Sequence, residues 1–268
     1  MAFLAVAGPF DFALTTARFR TFGPDRASLW HDGALHRVVA GRELQIAAAP
    51  GGVEVEPLDA ATEPVVRAVL GLAFELEPFY AWVARDETLA ALAGRFAGLR
   101  PSLSPDPFEA LVTSITAQQV SLRSAVAIRS RLVERFGEPA GKAWAFPTRG
   151  RLAAAREDEL VAVGFTRRKA EYVVGLARCD LDLDALATLP DEEVKARLVA
   201  VRGLGEWTAD WVLARHLGRP RAWPAGDLAL RKAVADLYRE EDVRAAGDRF
   251  SPFQNLTAHY LLARTLTP

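Results

Sequence analysis

The chain has one cysteine, Cys179, so no disulfide framework can hold it together. It has four histidines, His31, His36, His216 and His259, and none sits at metal-ligand spacing from another. No apolar run reaches transmembrane length. Residues 1–10 are apolar but lack the basic start of a signal peptide, so a soluble, cytoplasmic protein is expected. Net charge is also missing: the formal value is −1 and the pI is about 6.5. That is no global nucleic-acid signature, and a DNA-binding role would need a local basic face.

What is present is apolar residue, at 50% of 268 positions, enough for one large domain or two to three small ones. Residues 1–60 read as β-rich. Phe10, Phe12 and Leu14 recur at period two, His31-Asp32-Gly33-Ala34 is a hairpin-turn candidate, and Val53-Glu54-Val55-Glu56 alternates strictly. From Thr62 onward the period becomes helical. Asp106-Pro107 starts one helix, and residues 121–136 form a basic amphipathic one whose Arg123, Arg129, Arg131 and Arg135 read as a solvated face. Thr166 opens a helix on Arg167-Arg168-Lys169. Three cations at a helix start oppose the dipole, which fits a phosphate contact better than a structural role, with solvated arginines as the alternative.

Residues 198–233 carry the densest pattern. Two apolar helical segments are joined by Val201-Arg202-Gly203-Leu204-Gly205. Gly203 and Gly205 suit positive-φ or close-approach positions, and the next helix, opening Glu206-Trp207-Thr208-Ala209, presents free N–H groups that can hold a phosphate. An ordinary glycine-capped αα-hairpin would look the same. Further on, Gly226-Asp227 precedes an apolar helical run. Asp227 reads as an N-cap, and a capping carboxylate beside a pocket is also rigid enough to stabilise positive charge on a sugar or to orient a water.

Residues 201–209 with Asp227 resemble the signature of the helix-hairpin-helix DNA glycosylase superfamily, with Arg202 where proline is common. Trp207 stands where strand-cutting members carry lysine, which is similar to the monofunctional 3-methyladenine (alkylbase) DNA glycosylase II branch. Residues 115–121 and 164–170 extend the likeness, which covers about residues 100–262. The resemblance implies an α+β protein: a small antiparallel β-rich domain at 1–75, then an all-helical glycosylase domain pair at 76–268 containing the hairpin at 190–217. It implies hydrolysis of the N-glycosidic bond of alkylated purines, flipped out of duplex DNA for base excision repair. Asp227 is then the catalytic residue. Trp207, and next Trp211, are the aromatic faces that stack on a cationic base. Gln119 falls at the side chain wedged into the duplex. Arg202, Gly203, Gly205, Thr166 and Arg167 contact DNA. The carbonyls of Val199, Val201 and Leu204 hold a structural monovalent cation.

No other cofactor is expected, and a single cysteine excludes the four-cysteine iron–sulfur cluster of some superfamily members. The partner is double-stranded DNA with alkylated bases, reached by a monomer that is nucleoid-associated when bound; no membrane is involved. Residues 259–263, where the branch supplies further pocket aromatics, are mostly aliphatic here. Two alternatives stay open: a glycosylase for a deaminated or oxidised base, and a non-catalytic DNA-binding module.

Overall fold

A computed structural model describes residues 1–265. The N-terminal part contains β1 (Ala2–Ala5), α1 (Phe12–Thr15), α2 (Arg18–Thr21), β2 (Leu29–His31), β3 (Ala34–Val39), β4 (Arg42–Ala49) and β5 (Gly52–Glu56). The strands form one antiparallel sheet in the order β1-β5-β4-β3-β2. Asp32 and Gly33 both have positive φ, the conformation that a two-residue hairpin turn needs. Leu35 pairs with Ile46, and Ile46 with Val55. That register puts Leu35, Leu44, Ile46, Val53 and Val55 on one face, packed on Val66 and Val69 of α3 (Glu63–Val69). The expected strand through Phe10–Leu14 is instead a helical turn. Asp11 caps α1 by accepting from Leu14 N at 2.8 Å, and Phe12 packs between Phe10 and Trp30 rather than lining a strand.

The rest of the chain is helical: α4 (Leu76–Val83), α5 (Glu87–Arg95), α6 (Pro107–Ala117), α7 (Leu122–Phe136), α8 (Arg149–Ala153), α9 (Glu157–Ala162), α10 (Arg167–Arg178), α11 (Asp191–Val199), α12 (Glu206–Arg215), α13 (Leu228–Tyr238), α14 (Val243–Arg249) and α15 (Gln254–Ala263). A two-residue ribbon, β6 (Pro139–Ala140) with β7 (Ala143–Trp144), interrupts it after α7. The region expected to be all helical therefore contains this one ribbon among the described residues.

Two separate cores fill the helical part. One packs α6–α12 around Leu111, Ile115, Val173, Leu198 and Leu213. The other packs α4 and α5 against α13–α15 around Phe79, Leu89, Leu230 and Tyr260. The chain leaves the second core at α5, builds the first, and returns through the loop between α12 and α13. Asp227 sits at the end of that loop, on the seam between the cores.

A buried ionic cluster ties the sheet to the helices. Arg37 of β3 reaches Glu109 of α6 at 2.7 Å, and Arg129 of α7 bonds both Glu109 and Asp25. Arg123, Arg131 and Arg135 are exposed as expected, but Arg129 is 5% exposed, a correction to the solvated-face reading. Its helix turns toward Asp25 and Glu109, and the guanidinium shares the buried Glu109 carboxylate with Arg37.

Candidate functional site

The hairpin is built as its glycines require, but the two glycines differ. Gly203 has φ +97°, and a Cβ there would lie 2.3 Å from the Tyr172 ring, so both conformation and space demand glycine. Gly205 is extended, with φ −112° and ψ 179°, and nothing approaches within 4 Å of the Cβ it lacks. Positive φ is not its role. As N-cap of α12 it offers no side-chain acceptor, so the first N–H groups of the helix face open space. Lys195 of α11 locks the two hairpin helices through a 2.9 Å ion pair with the buried Asp210 of α12. Burial pushes the Asp210 carboxyl above its usual range, and Lys195 opposes that rise.

Residue 118 links the hairpin to the loop after α6. Gln118 Nε2 donates to Gly203 O at 2.9 Å. Its neighbour Gln119 is exposed at the tip with φ +56°, a left-handed conformation uncommon for glutamine. A groove of about 360 Å³ runs between this tip, the hairpin and the start of α10, bringing together Gln119, Thr166, Gly203 and Gly205. Lys169 lines it too, and its Nζ donates to Thr116 O at 2.9 Å while burial holds its pKa below the usual value. Thr166 caps its own helix through Lys169 N. The two expected DNA-contacting arginines stand outside the groove lining and carry carboxylate partners: Arg202 pairs with Glu171 at 2.7 Å and Arg167 with Asp158 at 3.1 Å. Both remain exposed enough to exchange those partners for a phosphate.

Asp227 is held on both oxygens. Oδ1 accepts from Ala229 N and Leu230 N, each at 3.0 Å, so the residue is the N-cap of α13. Oδ2 accepts from the indole N–H groups of Trp207 and Trp211, each at 3.1 Å. The carboxylate is half-buried and fixed by four donors from two helices. The two tryptophans thus orient the acid, a task that sequence reading did not assign to them. Trp207 stays half-buried beside it. Trp211 is 7% exposed, with the Arg215 guanidinium 3.9 Å over its ring and His259 edge-on at 5.9 Å. Its ring is walled in by protein, and of the two indoles Trp207 is the more exposed.

Two residues that pack on the Trp211 ring, Arg215 and His259, carried no expectation. His259 Nδ1–H donates to Asn255 O at 2.9 Å, which leaves Nε2 to accept from Arg215 Nε at 3.4 Å. Burial, then the neighbouring Arg215, pushes the His259 pKa down to about 3, so the ring is neutral. Burial and then Arg18 lower Arg215 to about 9, with Asp227 opposing. Arg215 was legible, since it follows Trp207 and Trp211 at four-residue spacing on one helix face. Arg18 and His259 come from distant segments and left no local signal. The expected cation carbonyls lie at the end of α11 and in the turn. Val201 O accepts from Leu204 N at 3.0 Å, and a carbonyl has a second lone pair.

Residues 112–249 match the family described as HhH-GPD superfamily base excision DNA repair protein. The chain belongs to this family. A DNA-3-methyladenine glycosylase of Bacillus subtilis (strain 168) is 35% identical over 168 residues, covering 60% of this chain and 55% of that protein. Three curated relatives, this one included, are spanned over 41% to 64% of their own length. A solved 3-methyladenine DNA glycosylase from Archaeoglobus fulgidus superposes with a TM-score of 0.88 at 29% identity, over 99% of this chain and 98% of that one. The Schizosaccharomyces pombe 3-methyladenine DNA glycosylase, solved with abasic DNA, gives 0.57 at 26% identity over 66% and 90% of the two chains. The Archaeoglobus likeness runs through the N-terminal sheet, so the α+β reading holds along the described chain. Within this HhH-GPD protein the hairpin is α11–α12, and Asp227 follows it at the seam.

Proposed function

We propose that this chain is a monofunctional DNA glycosylase that hydrolyses the N-glycosidic bond of alkylated purines in duplex DNA. The observation that carries the reading is the Asp227 carboxylate, its two oxygens fixed by four N–H donors on the seam between two cores. Glycoside cleavage develops oxocarbenium character at the sugar, and a fixed anion stabilises it without reorganising. Oxygen Oδ2, which faces the indoles, or Oδ1 then orients the attacking water. Trp207 carries no amine, so no Schiff base forms and water is the nucleophile.

The remaining parts have matching tasks. The uncapped N–H groups after Gly205 hold a backbone phosphate, with Arg202, Thr166 and Arg167 along the same face. The left-handed Gln119 enters the space that the flipped nucleotide leaves. The Trp207 face stacks on the cationic base, whose departure as a neutral molecule needs little acid help. The carbonyls of Val199, Val201 and Leu204 suit a hard monovalent cation, which would stiffen the turn under the phosphate. The chain acts as a monomer in the cytoplasm.

The test is base release from a duplex carrying 7-methylguanine, with borohydride present in a parallel reaction. The expected result is free base, an intact abasic strand and no trapped protein–DNA adduct. Tight duplex binding without release of any base, alkylated, deaminated or oxidised, would replace the reading with that of a DNA-binding module.

A further inference from the structure

Lys169 is buried, no carboxylate lies within ion-pair distance of it among the described residues, and burial alone lowers its pKa. A buried ammonium without a counter-ion is costly, and an apolar side chain of similar length would fill the space without that cost. Lys169 also stands in the first turn of α10, where the helix dipole disfavours a cation. What it faces is the far end of another helix. Its Nζ donates at 2.9 Å to Thr116 O, one of the last carbonyls of α6. Those carbonyls lack partners within their own helix and carry the negative end of its dipole. The cation that opposes α10 therefore serves α6.

Two residues on, Gln118 makes a second tie, its Nε2 donating to Gly203 O in the hairpin turn. The Tyr172 ring lies close against Gly203, and Tyr172 is one turn after Lys169 on α10. One face of α10 thus supports both the end of α6 and the turn of the hairpin. Beyond these ties stands Gln119, exposed and left-handed. The next apolar residues, Val120 and Leu122, are exposed, so packing past the tip does little to fix it. A side chain that parts stacked bases is pushed back by them. A loose tip yields to that push, and a tip tied to two helices does not.

Resting on the reading of Gln119 as the side chain that enters the duplex, we propose that Lys169 and Gln118 are positioning residues for nucleotide flipping. Lys169 anchors the end of α6 to α10, and Gln118 anchors the tip to the hairpin. Together they hold Gln119 at a fixed reach from the open N–H groups of α12. They act on the flipping step and leave bond cleavage at Asp227 alone.

The experiment measures single-turnover release of 7-methylguanine from two duplexes by wild type, Lys169→Met, Gln118→Met and Gln119→Gly. In one duplex the lesion is paired with cytosine. In the other it lies opposite a tetrahydrofuran abasic analogue, where no pairing resists flipping. Lys169→Met and Gln118→Met are each expected to lose about tenfold on the paired lesion. On the unpaired lesion both stay within about threefold of wild type. Gln119→Gly marks the loss that an absent wedge side chain causes on the paired lesion. Lys169→Met alters a buried group, so Gln118→Met, at a half-buried position, carries the test if the former folds poorly. Equal losses on both duplexes would make the two residues structural and overturn the inference. Wild-type rates in both methionine variants, with Gln119→Gly slow on the paired lesion, would overturn it too and leave Gln119 as the wedge. A wild-type rate in Gln119→Gly on the paired lesion would remove the wedge reading and this inference with it. Release from neither duplex by wild type would remove the alkylpurine reading as well.

Discussion

The indole N–H of Trp211 points at Oδ2 of Asp227 from 3.1 Å, while the Arg215 guanidinium covers the ring of the same tryptophan. Trp211 therefore acts through the acid. Replacing it with phenylalanine keeps the packing under Arg215 and removes one donor. Trp211→Phe is expected to lower kcat roughly tenfold, about 1.4 kcal/mol in the barrier, with little change in KM or Tm. Single-turnover release of 7-methylguanine measures it, and an unchanged rate would show that Asp227 is held well enough by Trp207, Ala229 N and Leu230 N.

Gln119 holds a left-handed conformation at an exposed tip. Glycine relieves that strain but adds entropy to the unfolded chain, and the two effects are each about 0.5–1 kcal/mol and opposed. Gln119→Gly should leave urea unfolding nearly unchanged while release from duplex DNA falls about tenfold. Loss of stability together with activity would point to a packing role for the side chain.

The pair between Lys195 and Asp210 decides whether the hairpin is rigid. Lys195→Met leaves a buried carboxyl whose pKa is already raised by burial. A fully buried pair broken this way costs about 3–5 kcal/mol; Lys195 keeps 33% exposure, so about 1–2 kcal/mol is expected. Adding Asp210→Asn should restore part of the loss in urea unfolding, and strictly additive losses would deny the coupling.

His259 gives a pH signature. Its pKa in the folded protein is depressed to about 3 by burial and then by Arg215, from the ordinary 6.5. The unfolded chain therefore binds a proton that the folded chain refuses. The stability that His259 contributes is complete above about pH 6.5 and is lost as the pH falls toward 3. Between pH 6.5 and 5, above most carboxylate titrations, Tm of the wild type should fall more steeply than that of His259→Gln. Parallel profiles would mean that the ring titrates normally.

Much of this was readable in the residues. The Asp32-Gly33 turn, the alternation of Val53–Glu56, the Asp106 and Thr166 caps and the hairpin are local, and local chemistry fixes them. Asp227 was readable as a cap for the same reason. The misses have a common physical source. Phe10 and Phe12 mimic a strand because aromatic clustering and strand alternation both favour period two. Arg129 looks solvated until Asp25 and Glu109, far away in sequence, are folded around it. Arg215 and His259 meet only because the chain returns to its second core after α12. Such pairings of distant charges leave no period in the sequence. The task of the tryptophans as donors depends on ring orientation, which spacing places on a face but does not aim.

The central claim is that Asp227 supplies charge to the reaction rather than shape to the fold. Asp227→Asn tests it most directly, because the amide oxygen still caps α13 or accepts from the tryptophans while the negative charge is gone. The account predicts that the variant binds methylated duplex as tightly as wild type and releases 7-methylguanine at least about a hundredfold more slowly. Release within a few-fold of wild type, with the same affinity, would contradict it.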